Sequence, residues 1–366
     1  MANQQIEIDP TKLNQKSKVI LQYLMYCNGS NFLAKGAYEL PDMQLTAQLS
    51  HSLVCRPSSK RPFQQRWEIV GDKLGFGAFS SVYTNKGKLK SELDLAYSPP
   101  KNECPSIIKE IKFGNETGMQ IKPKHIVKEE IKTQASSDFL HCKSAFFSPD
   151  KGFLIMRQAP GMDLIDFVTL MRAGKLSVTY YDLLQLTRSI LSEVHALHKK
   201  GIIHRDLKPD NIVANPQDFT AKLIDFSFVK PITFPKQRYN SLRGTPAYIA
   251  PECWSTKCVS TASDWFAIGW TLAQLWGDTA LSNQDLTIYA AEPFTQLLQF
   301  LKKETFQNLF HHLHVPLDAK FELQSILQGL IICDESKRLR GAQALVRVEQ
   351  LIKDYEQTAL PVATMV

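Results

Sequence analysis

The chain of 366 residues is short of every feature that would make it a membrane, secreted or metal-scaffolded protein. No apolar run approaches the roughly 20 residues that a spanning helix needs. The amino terminus, Met-Ala-Asn-Gln-Gln, lacks the basic region and apolar core of a secretory signal, so no leader is expected. Its seven cysteines are scattered without metal-like spacing. The closest pair, Cys253 and Cys258, has no matching pair or histidine cluster nearby, and a reducing, cytoplasmic compartment is expected. Charge is not strongly one-sided: a net charge of +7 is a weak pull toward acidic partners or anionic surfaces and makes no case for nucleic acid. What remains, 44% hydrophobic and 22% charged residues, is ordinary globular composition, long enough for two or three packed units.

The richest stretch is His204-Arg205-Asp206-Leu207-Lys208-Pro209-Asp210-Asn211. Before it, Leu183, Leu186, Ile190, Val194 and Leu197 step by three or four, one face of a helix with a buried side. Thr179 with Asp182 is its start signal and Lys199-Lys200-Gly201 its stop. Pro209 does not fit a continuing helix. The chain therefore leaves a helix and presents Asp206, Lys208 and Asn211 on a loop. An apolar strand, Ala221 to Ile224, then ends in Asp225-Phe226-Ser227, with Asp225 placed 14 residues after Asn211 (225 − 211).

Upstream, residues 1–66 carry no readable motif, although Lys18 to Met25 suits a short helix. Pro57 to Pro62 reads as a linker, and the segment is expected to pack on the main domain, with a regulatory or partner-binding role as the alternative. Trp67 to Val70 reads as a strand leading into Leu74-Gly75-Phe76-Gly77-Ala78-Phe79-Ser80-Ser81-Val82. Glycines one residue apart suit a hairpin whose backbone approaches a ligand. Asn85 to Pro105 is long for a hairpin connection and is expected to be an exposed insertion. Ile107 to Ile111 reads as a strand carrying Lys109, and Lys124 to Ser137 as a helix carrying Glu129 and Glu130. Lys143 to Phe147 and Gly152 to Met156 read as a hairpin.

These motifs, in this order, resemble the serine/threonine branch of the eukaryotic-type protein kinases. The resemblance covers roughly residues 67–355. It implies an α+β, bilobal protein-kinase-like fold: a β-rich N-lobe with one regulatory helix over residues 67–158, a mainly helical C-lobe over 159–355, and a tail over 356–366. It implies ATP and Mg²⁺ as cofactors and a protein substrate with Ser or Thr. Asp206 would be the catalytic base, Lys208 would contact the γ-phosphate, and Asn211 and Asp225 would hold the metal. Lys109 would contact the nucleotide's phosphates, fixed by Glu130, or by Glu129 as the runner-up. Leu74, Gly75, Gly77, Val82, Ile107, Met156, Arg157, Ala159, Asp163 and Val213 would surround the nucleotide. Asp264 would hold the catalytic loop, and Arg338 would pair with Glu252. Ser241 is a candidate activating phosphosite, by an upstream kinase or autophosphorylation, with Arg205 as its cation. Tyr239 and Thr233 are weaker candidates. Thr364 to Val366 fits a carboxylate-capture motif.

Four positions depart from the family pattern: Ser80 for the third loop glycine, Ile107 for alanine, Gln134 for an apolar residue, and Ser227 for glycine. They support a second reading, a pseudokinase scaffold acting by binding. A third is a kinase of a lipid or small molecule, against which the Gly244-Thr245-Pro246 segment argues.

Overall fold

A computed structural model describes residues 4–27, 31–56, 65–76, 80–91, 95–100, 105–112, 128, 142–148, 150–232, 237–238, 243–277 and 313–359. The chain divides into two compact units, Met1–Gln158 and Ala159–Val366. The first is β-rich and the second mainly helical, the bilobal class that the resemblance implies. Among the described residues, no helix is long and apolar enough to cross a membrane.

The first unit runs β1 (Gln4–Ile8), α1 (Gln15–Cys27), β2 (Phe32–Leu33), β3 (Gly36–Leu40), β4 (Leu45–Leu49), β5 (Leu53–Arg56), β6 (Gln65–Phe76), β7 (Ser80–Ser91), β8 (Leu95–Ser98), β9 (Ser106–Lys112), β10 (Cys142–Phe147) and β11 (Lys151–Arg157). Asn14 opens α1 by accepting the Ser17 amide at 2.8 Å. Ile20, Leu21 and Leu24 then bury at helical spacing. Among the described residues, eight strands form one sheet in the order β10-β11-β9-β7-β6-β5-β2, with β8 paired to β7. β2 and β5 precede residue 57, so the extension supplies strands to the sheet that begins the resemblance.

The extension also supplies core. Ile8, Ile20, Leu21, Leu24, Leu33, Leu40, Leu45, Leu49 and Leu53 bury in one cluster with Trp67, Ile69, Leu89 and Leu95. On the other face of the sheet, Val54 of β5 packs with Ile108, Phe146, Phe153 and Ile155. Four strands separate β5 from β10 in the sheet order. Arg56 Nη2 nevertheless donates to the Lys143 carbonyl on β10 at 3.0 Å, and the Phe32 ring stacks on Phe153 at 5.9 Å. The sheet therefore curls until its two ends meet, and residues before 57 close it.

Asn85 to Pro105 is not simply an exposed insertion. β7 continues to Ser91 and turns back as β8, and Leu89 and Leu95 are fully buried. Leu89 faces in while Lys88 and Lys90 face away from it, the period of two that a half-buried strand requires. Of the helix expected over Lys124–Ser137, Lys128 alone is described, as helical, while Glu129, Glu130 and Gln134 lie outside the described residues. So do Pro57–Pro62, Gly77, Thr233, Tyr239, Ser241 and Thr364–Val366.

The second unit runs β12 (Met162–Asp163), α2 (Leu164–Arg172), α3 (Tyr180–Lys199), β13 (Ile202–Ile203), β14 (Ile212–Ala214), β15 (Ala221–Leu223), β16 (Lys230–Pro231), α4 (Pro251–Thr256), α5 (Thr261–Leu275), α6 (Leu317–Leu330) and α7 (Gly341–Ala359). α3 starts on a capping box between Thr179 and Asp182, and its predicted apolar face is buried. α5 is buried along nearly its whole length, Asp264 included. Arg338 forms a bidentate pair with Glu252, at 2.7 and 2.8 Å, with only 1% of its side chain exposed. Removing one member of such a pair costs about 3–5 kcal/mol because it strands a buried charge.

Candidate active site

In the first unit, antiparallel register decides which side chains share a face, because directly opposed residues point the same way. Gly75, Val82, Lys109 and Leu154 stand opposite one another across four strands. Thr84, Ile107 and Met156 form the next row. One face therefore carries Val82, Ile107, Lys109 and Met156, and Lys109 is 4% exposed. Ile107 and Met156 also belong to a small apolar cluster with Ile111 and Leu154. Leu74 is half exposed on β6, and Arg157 is exposed at the end of β11. Arg157 closes the first unit's last strand, and Ala159 opens the second unit.

In the second unit, the loop after α3 is hung from α5. The Asp264 carboxylate accepts the His204 amide at 2.8 Å and the Arg205 amide at 2.9 Å. It also lies 2.8 Å from Nε2 of His198. Those bonds hold Arg205 in the left-handed region, at φ 71°. Burial raises the Asp264 pKa, but the hydrogen bond and charge of His198 and the neighbouring His204 outweigh it and hold the carboxyl below its ordinary range. His204 is fully buried, and desolvation lowers its pKa against the pull of Asp264, Asp225 and Asp206. Its Nε2 faces the Ile224 carbonyl at 3.2 Å. A carbonyl only accepts, so Nε2 carries a proton.

Asp206 is fixed from two sides. Its Oδ1 accepts the Thr245 amide at 2.8 Å and the Thr245 hydroxyl at 2.9 Å. Asn211 Nδ2 donates to the Asp206 carbonyl at 2.7 Å and to its Oδ2 at 3.1 Å. The Asn211 carbonyl in turn accepts the Ile224 amide at 2.9 Å, and β14 pairs with β15. Asp206, Asn211 and Asp225 are thereby drawn into one locality of the second unit. Asp225 is left-handed, at φ 55°, and the Ser227 hydroxyl donates to its Oδ1 at 2.5 Å. Phe226 is buried against the His204 ring at 5.1 Å. Lys208 Nζ lies 3.9 Å from Asp210.

Val213 stands opposite Asp163 on β12. Asp163 caps α2, accepting the Asp166 amide at 2.8 Å, so its carboxylate has a structural duty. Gly161 has φ 112°, and a Cβ there would lie 2.1 Å from the Ala214 carbonyl, so only glycine lets these strands meet. Sequence reasoning missed His198 as a partner of Asp264. Its spacing of four from the buried Val194 was the available signal. It also missed the Thr245–Asp206 contact, which no local pattern announces.

A family model for the protein kinase domain matches residues 69–349. The chain belongs to the protein kinase family. Within that family the kinase domain is similar to the human serine/threonine-protein kinase ULK1, at 29% identity over 66% of this chain and 24% of that protein. It is also similar to the serine/threonine-protein kinase ksg1 of Schizosaccharomyces pombe, at 26% identity over 74% of this chain and 43% of that one. The mouse 3-phosphoinositide-dependent protein kinase 1 is 31% identical over 42% of this chain and 25% of its own length. The chain thus spans well under two thirds of these relatives.

Proposed function

We propose that this kinase domain transfers the γ-phosphate of ATP to a serine or threonine hydroxyl of a protein. The observation that carries the reading is the double tether of Asp206, through Thr245 on one side and Asn211 on the other. A carboxylate held this way is pre-aimed to accept a hydroxyl proton and to orient the nucleophile. Lys208 contacts the γ-phosphate. On the first unit's face, Lys109 contacts the α- and β-phosphates with Glu130 as its partner. Val82, Ile107 and Met156 enclose the base with Leu74, Gly75 and Gly77, and Arg157, Ala159, Asp163 and Val213 complete the nucleotide site. Ile107, bulkier than the family's usual alanine, narrows the adenine slot.

The donor set suits Mg²⁺. Asn211 spends its amide NH₂ on Asp206, which leaves its carbonyl oxygen, and Asp225 adds a carboxylate: hard oxygen ligands of the kind Mg²⁺ takes beside phosphate oxygens. Bound there, the ion would neutralise phosphate charge. Phosphorylation of Ser241, with Arg205 as the pairing cation, is the activating step in this reading.

An assay with Mg-ATP and mixed protein substrates, comparing wild type with Asp206→Asn, tests the proposal. Label should enter protein with the wild type and fall by at least about 100-fold with the variant, as loss of a positioned base implies. Equal labelling by both would leave the scaffold reading standing. Label found only on lipid or metabolite would replace the substrate class.

A further inference from the structure

The whole formal excess of positive charge sits in one unit. Met1–Gln158 holds 22 Lys and Arg against 15 Asp and Glu, whereas Ala159–Val366 holds 21 of each. Within the β-rich unit, register concentrates part of that excess. Lys90 on β7 stands directly opposite Arg66 on β6, and Arg66 directly opposite Arg56 on β5. The three cations share one face of the sheet, with strands only about 4.8 Å apart. The reverse face at these positions, Leu89, Trp67 and Cys55, is buried. Like charges set directly across strands repel. The neighbouring row is balanced instead, with Glu68 beside Lys88. Among the described residues, no acid pairs with Arg66 or Lys90. The Arg56 bond to the Lys143 carbonyl brings β10, with exposed Lys143, to the same end of the sheet. In sequence, the eight residues between Arg56 and Gln65 add Lys60 and Arg61 and no acid.

The turn after Lys90 adds Glu92 and Asp94 in sequence, yet neither Arg66 nor Lys90 pairs with an acid among the described residues, which leaves the row open to an anion outside the chain, and its surroundings favour one kind. Protein interfaces centre on apolar and aromatic anchors. The exposed large apolar side chains described in this unit, Val19, Tyr26, Leu74 and Phe76, all lie off the row. Duplex readers place a helix or ribbon in a groove, whereas these cations lie on a sheet face. An anionic lipid surface requires only clustered cations, about four to eight of them. We propose that this end of the β-rich unit docks on a membrane leaflet rich in anionic phospholipid, through Arg56, Arg66, Lys90 and Lys143. The proposal stands apart from the phosphotransfer reading, since it uses none of the catalytic residues.

Co-sedimentation of the full chain with vesicles tests it. Wild type should bind phosphatidylserine–phosphatidylcholine vesicles, not phosphatidylcholine alone, and be released by salt. Lys90→Glu changes an exposed side chain and should weaken binding about fivefold or more, and Arg66→Glu with Lys90→Glu at least about 20-fold, at roughly fivefold per lost cation. Thermal melts of the variants control for folding. The proposal is overturned if both vesicle types bind equally, if wild type binds neither, or if Lys90→Glu binds like wild type. It is also overturned if poly-glutamate or duplex DNA holds the chain at salt that frees it from vesicles, which would assign the row to a different partner.

Discussion

Ser227 stands where the kinase family places glycine, and its hydroxyl is bonded to the carboxylate of Asp225. Replacing glycine stiffens the backbone at this position. The bond adds a second effect, because it fixes the carboxylate assigned to the metal. A hydrogen bond to a charged group is worth about 1.5–3 kcal/mol. Ser227→Gly should therefore lower kcat/KM about tenfold or more and raise the Mg²⁺ concentration needed for half-maximal rate, while Ser227→Thr keeps most activity. Mg²⁺ titrations of the initial rate read this out. Identical Mg²⁺ curves for wild type and Ser227→Gly would show that the hydroxyl contributes nothing to the site.

The loop that carries Asp206 owes its position to a helix 60 residues further along the chain, through Asp264 on α5. Two buried ionisable groups at this junction make its stability depend on pH. His204 has its pKa lowered by burial, so the unfolded chain takes up the proton first as pH falls. Its contribution is complete above the ordinary value of 6.5 and is lost progressively as pH drops from there toward the lowered folded value. Asp264, also lowered, contributes fully above 3.8 and loses its effect as pH falls through its folded value. From about pH 7 to about pH 5, His204 is therefore the group of the two that matters, and Tm should fall across that window. His204→Phe should flatten the slope, whatever it does to absolute stability. An unchanged slope in thermal melts of that variant would reject the assignment.

The amino-terminal extension is part of the folded β-rich unit. It reads as a motif-free segment, yet it supplies two strands and most of one core cluster to the unit in which the kinase domain begins. Burying each Leu or Ile contributes about 1.5–3 kcal/mol. Losing even four or five such contacts rivals the roughly 5–15 kcal/mol by which a folded protein is stable. A chain starting at Gln65 should therefore be insoluble or lack a cooperative melt. Soluble expression of residues 65–366 with a sharp thermal transition would refute this.

Sequence alone determined the local chemistry: the order of the kinase motifs, the amphipathic helix ahead of the loop that carries Asp206, and the strand that carries Lys109. Those features are legible because short spacings encode them, with period 3.6 in α3 and a few fixed residues in the loops. Tertiary structure decided what depends on long-range register. It set Arg56, Arg66 and Lys90 side by side, joined His198 to Asp264, turned Thr245 toward Asp206, and closed the sheet with strands from before residue 57. No local pattern specifies which strand lies beside which, since those pairings are fixed only when distant apolar faces find a common core.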